Sequence, residues 1–390
     1  MPSRIRTRTR TALAAVPLAL ALTALTACGA GSPAAEPDTT DWDALTHDEL
    51  VERAQEEGTV TVYAFTSRIA QVEAAFEAEY PGIDVVASDI SSTELITRLA
   101  SEHAAGSATA DVAYVSDAPV VVTELLADGV LVPYVPPRVA GALPEEYRSP
   151  LVANRLSTKV LMYNEEAYPD GSPVQNLWAL TEPEWAGKVV LVDPNVRGDY
   201  LDLATELSLR ADEMAAAYEE HTGEALVLDE GVEDAGLQFL ADLYANDAVL
   251  VDDTDTVNAA VGATGQAAPP VGFTSYSDRR DNEDEGWALQ VAAGVAPSPG
   301  IAFPAQIGVT ADAANPAAAR LLADFLMGDD SGTGGPGFEP FYVAGDYPTR
   351  TDVEAPADAV SLDELGAWEI DPEASAARRG DVADFLLTVQ

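Results

Sequence analysis

The chain carries 66 acidic and 20 basic side chains, so the few cations beside loops are the first residues to locate. Arg68, Arg155 and Arg197 lie at or next to segments that follow apolar, strand-like runs. A guanidinium offers planar, bidentate donors that fit a carboxylate or a phosphate. Ser91 and Ser92 open one predicted helix, and Gly198 with Asp199 opens another. A helix N-terminus presents free N–H groups and the positive end of its dipole, which suit the same anions. The chemistry indicated is recognition of a small organic anion, phosphorylated or carboxylated. Plainer roles stand beside it. Each arginine could be a surface ion pair, and each serine a helix cap. Asp199 would repel an anion; it suits an amine, a sugar hydroxyl, or the first turn of its own helix. Ser67, Ser116, Asp117, Ser275 and Tyr276 also follow predicted strands. Tyr276 would either stack on a ligand or close the core. Trp178, Trp185 and Trp287 read as packing residues. Asp252-Asp253-Thr254-Asp255 lacks the spacing and glycine of an EF-hand and reads as a solvated loop.

Bond-making chemistry has little support. The chain holds no Gly-x-Ser-x-Gly elbow, His-Glu-x-x-His or Walker A loop. Acid pairs abound, but no periodicity selects one as a glycosidase pair. No enzyme activity and no cofactor are expected. A formal charge of −46 excludes nucleic acid, which needs clustered Lys and Arg, and disfavours an anionic membrane surface. The single cysteine excludes an internal disulfide framework and a Cys-based zinc cluster. Lys159 and Lys188 are the only lysines. Such a surface stays soluble at high ionic strength, although a general Ala/Asp/Glu bias gives the same composition.

The N-terminus carries Arg4, Arg6, Arg8 and Arg10, then an uncharged Ala/Leu-rich stretch from Thr11 to Ala27. That stretch is shorter than the ~20 residues that span a bilayer as a helix. It ends in Leu25-Thr26-Ala27-Cys28, which resembles a bacterial lipobox. The resemblance implies a leader over 1–27, a lipidated Cys28 and attachment to the outer face of the cell membrane. An ordinary secretory signal is the alternative. Residues 28–44 are rich in Ser, Pro, Ala, Asp and Thr and read as a flexible tether.

The remaining chain alternates strands and helices. Thr46 and Glu49 have capping-box spacing, and Gly58 should end that helix. Thr59 to Phe65, Ile83 to Ala87 and Val112 to Val115 read as strands, separated by helices from Ile69 and from Ser91. A further helix is expected from about Pro119 to Ala127. Later strands are expected at Val160–Tyr163, Lys188–Val192, Val271–Thr274 and Ile307–Thr310. Helices are expected near 200–209, 212–220, 232–245 and, capped by Asn315, 316–327; Ser331 to Gly337 reads as a loop. Repeated alternation implies an α/β fold with a mixed, mostly parallel sheet flanked by helices. In such folds ligands bind beyond the carboxyl ends of the strands.

Several short stretches, in order, resemble bacterial extracellular solute-binding proteins of ABC transporters, in the ferric-iron-binding-like branch. They are Gly58-Thr59-Val60-Thr61-Val62-Tyr63, Phe76 to Ile83, Ala110-Asp111-Val112-Ala113, Val160 to Asn164, Pro183 to Lys188, Asn315 to Arg320, and Asp346-Tyr347-Pro348-Thr349-Arg350. The resemblance implies a two-lobe periplasmic-binding-protein fold of type II. Lobe 1 would hold 45–156 and 302–345, and lobe 2 would hold 157–301 and 346–390. Strand crossovers near 155–159 and 299–303 would join them, with ligand in the cleft and hinge closure around it. The partners implied are a small-molecule ligand and an ABC permease, with the lipid anchor holding a monomer at the membrane.

The resemblance also implies where iron would sit. The family's His position corresponds to Ser67, its Glu position to Ser116 with Asp117 beside it, and its Tyr pair to Ser275-Tyr276. His47, His103 and His221 fall outside the expected cleft loops. Only Tyr276 is kept, too little for tight Fe(III) binding, so no metal site is expected. A diverged iron or iron-chelate binder using Tyr276 is the alternative within the class. A surface interaction or sensor lipoprotein without a transport role is the alternative outside it, followed by a surface hydrolase.

Overall fold

The run Thr59–Ala64 is rich in β-branched and aromatic residues and forms the first strand, β1. The computed structural model describes residues 40–389. The leader, Cys28 and most of the tether lie outside the described residues. The helix His47–Glu57 precedes β1; Thr46 and Glu49 make the expected capping box, and Gly58 closes it in the left-handed conformation (φ 72°).

β1 pairs in parallel with β2 (Asp84–Asp89) and β3 (Val112–Val115). Parallel neighbours need crossovers, which the helices Ile69–Glu79 and Ser92–Ala104 supply. A short β4 (Leu131–Val132) leads to the long β5 (Val152–Asn164). The second half repeats the theme with β6 (Val189–Val192), β7 (Val249–Val251) and β8 (Val271–Thr274), where β6 is parallel to both others. β9 (Leu289–Val291) and β10 (Gly300–Thr310) follow, then the two-residue strands β11 (Tyr347–Pro348) and β12 (Trp368–Glu369).

All twelve strands join one sheet, ordered β2-β1-β3-β10-β5-β8-β6-β7 along its main path. β5 and β10 run antiparallel across the middle, from Gly300 opposite Val160 to Ile307 opposite Val152. They are the only strands on that path that belong to both halves, so they carry the connection. The sheet is therefore parallel within each half and antiparallel at the crossovers. One apolar cluster fills the first half around Leu95, Leu99 and Val121; a larger one fills the second around Trp178, Leu203 and Phe239.

The helix expected from about Pro119 to Ala127 is present, as a short helix Ala118–Val120 that widens into a π-helical turn, Val121–Leu126. Two local expectations are corrected. The glycine-rich stretch after Ser331 contains a one-turn helix, Gly335–Phe338. Asn315 does not cap the helix Pro316–Leu326 with its side chain. That start is held instead by Glu57, which accepts from the Ala317 and Ala318 N–H groups at 3.0 and 2.7 Å.

Asn315 is engaged by Asp111, which is buried between β1, β3 and that helix. Asp111 accepts from the Thr61 N–H (2.9 Å), the Asn315 N–H (2.9 Å) and the Asn315 side-chain amide (3.1 Å). Asp111→Ala strands these donors in the interior. The expected loss is about 3 kcal/mol or more of unfolding free energy, read by urea denaturation, since each unmet buried donor costs roughly 1–3 kcal/mol.

Candidate functional site

β5 sets the site. Successive side chains of a strand point to opposite faces, so Arg155, Ser157 and Lys159 share one. All thirteen residues of β5 are buried, and both cations need counter-charges there. Arg155 is fully buried, with Nε 3.1 Å from Asp346 Oδ1. Arg68, just before the helix that follows β1, donates from Nη1 to Asp346 Oδ2 at 2.5 Å and to the Pro340 carbonyl at 3.2 Å. One buried carboxylate thus serves two guanidiniums. Burial alone would raise Asp346, but Arg155 and then Arg68 outweigh it and hold the carboxyl below its ordinary range. Burial pushes Arg155 down to about 10, against the pull of Asp346. The Nε, Nη1 and Nη2 atoms of Arg155 have no aligned hydrogen-bond acceptor among the described residues. The guanidinium instead lies 4.3 Å from the Phe341 ring centroid and 5.3 Å from that of Tyr114.

A second triad repeats the pattern. Lys159 Nζ lies 3.1 Å from Asp199 Oδ2 and donates to Ser275 Oγ at 2.7 Å. Arg197 grips the same carboxylate from Nε (3.2 Å) and Nη2 (2.9 Å) and reaches Thr254 Oγ1 at 2.9 Å. Burial would raise Asp199, but Lys159 and Arg197 together hold it far below the usual carboxylate range. Burial lowers Lys159, and Asp199 only partly restores it. Asp199 raises Arg197. Across from this triad Asp89, at the end of β2, is raised by burial against the pull of Arg197. On the turn after β8, Asp281 is raised by burial, with Arg280 and, more weakly, Arg68 pulling the other way. Arg197 of the second half thus lies near Asp89 of the first, and Arg68 of the first near Asp281 of the second.

The other sequence-predicted residues divide. Ser92 and Ser116 meet, Oγ to Oγ, at 2.9 Å. Ser91 is exposed and caps its helix by accepting from the Glu94 N–H at 3.2 Å. Ser67 is exposed, and its carbonyl accepts from the Ala70 N–H. Asp117 is buried and paired with Arg379 of the C-terminal helix Pro372–Val389, which also reaches Asp202 at 3.2 Å. Burial raises the Asp202 carboxyl well above its usual range, although Arg379 opposes this. Gly198 packs directly on Asp117: a Cβ there would fall 2.1 Å from its Oδ2. Glycine is thus required by close approach, beyond its place at a helix start.

Tyr276 is corrected. Its side chain is buried, its hydroxyl accepts from the Val360 N–H at 3.3 Å, and its own N–H donates to Thr158 Oγ1. It is part of the apolar core of the second half. Among the described residues no group of three or more His, Cys, Asp or Glu side chains is placed to hold a metal ion. His47, His103 and His221 pair with Asp324, Asp312 and Glu182 respectively.

Sequence reasoning missed Lys159, Asp346 and Arg379. Lys159 had a signal: a lysine in a chain with two, four residues after Arg155 on a strand with no other charge. Asp346 stood in a quoted stretch without a role. Arg379 offered none, because Arg378-Arg379 looks like any surface pair of a helix.

A family model described as bacterial extracellular solute-binding protein matches residues 59–333. That is more than half of the chain. The chain belongs to the bacterial extracellular solute-binding protein family. Solved structures agree on the fold. Iron-bound HitA from Pseudomonas aeruginosa superposes with a TM-score of 0.66 at 18% identity, covering 85% of this chain and 99% of that one. A substrate-binding protein of an ABC transporter from Agrobacterium tumefaciens gives 0.64 at 16%, covering 85% and 94%. AfuA from Actinobacillus pleuropneumoniae, solved with exogenous fructose-6-phosphate bound, gives 0.62 at 16%, covering 84% and 97%. No curated protein matches. This solute-binding protein thus has the two-lobe periplasmic-binding-protein fold. Its class captures a solute for an ABC importer and works outside the cytoplasm. No helix among the described residues is long and apolar enough to cross a membrane.

Proposed function

We propose that this protein captures a small organic anion, carrying a phosphate or carboxylate, and hands it to an ABC permease without chemically altering it. The observation that carries the reading is the pair of buried triads, Arg68–Asp346–Arg155 and Lys159–Asp199–Arg197. Each has two cations and one carboxylate, so each holds a formal excess of positive charge. That excess sits in a chain of net charge −46. A strongly acidic protein that takes up an anion must concentrate cations where the anion lands, in a low-dielectric cleft where they count most. Arg197 is the accessible member, with its side chain 31% exposed. Ser275, which accepts from Lys159, and the Ser92–Ser116 pair supply neutral hydroxyls in this reading. In this reading residues 45–156 with 302–345, and 157–301 with 346–390, form the two lobes, hinged on β5 and β10. Cys28 carries the lipid anchor, and the body acts as a monomer at the outer face of the membrane.

The test is a thermal-shift screen on residues 41–390 at moderate salt. The panel holds hexose phosphates, phosphonates, di- and tricarboxylates, amino acids, polyamines, and Fe(III) with and without citrate. A ligand at a hundred times its Kd adds about 2.7 kcal/mol, a rise of several degrees at most for a chain this size. One anion class is expected to raise the midpoint. A rise with Fe(III) alone would return the protein to the iron binders.

A further inference from the structure

The strands that carry the triads have a second face. Leu156, Ala302 and Pro304 point away from the side that holds Arg155, Ser157 and Lys159. With Leu151 they floor a separate cavity of about 460 Å³ behind the crossover. Its walls come from the segment before β5 and from the stretch that joins β12 to the C-terminal helix.

We propose that this cavity is a binding site for a small organic ammonium ion with an apolar tail. Two independent observations point there. The first is Gln306, which lines the cavity at 2% exposure and whose Oε1 has no hydrogen-bond donor among the described residues. A buried amide carbonyl left unmet is costly and rare in folded proteins, so a donor is expected to arrive. The second is the charge of the rim. Every ionisable lining residue is acidic or phenolic, with Glu146, Glu369 and Glu373 exposed at the mouth and no Lys, Arg or His in the wall. Tyr147 stands among them, donating to Glu369 Oε2 at 3.2 Å. Asp371 is already used, accepting from the Glu373 and Ala374 N–H groups. Arg210 is held by Glu206 and Glu213, and of the lining residues it is hydrogen-bonded to the Glu369 carbonyl alone, at 3.5 Å.

An ammonium group satisfies both features. Its N–H donates to Gln306 Oε1 once the side-chain amide turns that shielded oxygen toward the cavity, its charge is balanced by the rim carboxylates, and the Tyr147 ring offers a π face. A short alkyl chain covers Leu151, Leu156 and Pro304. An anion would meet only carboxylates, and a hydrated metal ion would leave the apolar floor wet. The site is distinct in chemistry from the cleft, since the same strands present cations on one face and a cation-seeking cavity on the other.

Isothermal titration of the soluble body with n-butylamine tests this, with n-butanol and butyrate as uncharged and anionic controls of the same size. The amine is expected to bind saturably at one site, and both controls at least about tenfold more weakly. Gln306→Met removes the acceptor at nearly constant volume and should weaken the amine about tenfold, the worth of one hydrogen bond to a charged group. Should that variant fail to fold, the double variant Glu369→Gln, Glu373→Gln serves in its place, with the same direction expected. Arg197→Ala, in the cleft, should leave the amine unaffected. No saturable amine binding, equal binding of n-butanol, or amine binding that is lost in Arg197→Ala but kept in Gln306→Met would each overturn the proposal.

Discussion

Asp346→Asn is expected to lower the unfolding free energy by about 3–5 kcal/mol, the usual cost of breaking a buried ion pair from one side. Asp346 is the shared counter-charge of Arg68 and Arg155, and both guanidiniums are buried. An asparagine keeps the shape but leaves two like charges facing one another. Burial already lowers Arg155, with Arg68 adding to the fall. Against a typical total of about 5–15 kcal/mol, the loss is large. The sign with pH is also fixed. The folded Asp346 carboxyl lies below its unfolded value, so its contribution is complete above the ordinary carboxylate range and disappears as pH falls through the folded value. Urea titrations of both proteins should therefore differ most at neutral pH and converge in acid. Equal stabilities at neutral pH would show that Asp346 is not the counter-charge.

Asp199→Asn is expected to act in two opposite directions. In the free protein it leaves Lys159 and Arg197 without their carboxylate, and stability should fall by about 3 kcal/mol or more. Toward an anion it removes the competitor for the same donors, and affinity should rise about tenfold or more. Denaturation measures the first effect and calorimetric titration with the anion found in the screen measures the second. A ligand that uses Asp199 as an acceptor, such as an amine or a sugar hydroxyl, would instead bind more weakly to the variant. The sign of the affinity change thus separates the two roles that the sequence leaves open for this residue.

Much of the fold was legible because its signals are local. The capping box at Thr46, the left-handed Gly58 and the apolar run of β1 each follow from adjacent residues. The helix after Pro119 was legible, but its π-helical turn was not, because a helical pattern does not distinguish α from π spacing over six residues. Asn315 was misassigned as a cap because its true partner, Asp111, is some two hundred residues away in sequence. The site was legible by half for the same reason. Arg68, Arg197, Asp199 and Ser275 follow strands, and that position brings them to the two triads. Their charge balance comes from Lys159 and Asp346, which only the pairing of β5 with distant segments reveals. Tyr276 shows the limit most clearly: a tyrosine after a strand can turn either way, and the N–H of Val360 decides it.

The central claim is that the cleft selects negative charge through Arg197 and its neighbours. Its most direct test is calorimetric titration of the wild-type body and Arg197→Ala with the hexose phosphates and tricarboxylates of the panel. The wild type is expected to bind one of these classes, and the variant to lose about thirtyfold or more in affinity, the ~2 kcal/mol expected for a charge-assisted contact. Binding of a neutral or cationic solute in the cleft with equal strength in both proteins, and no binding of any anion, would contradict the account.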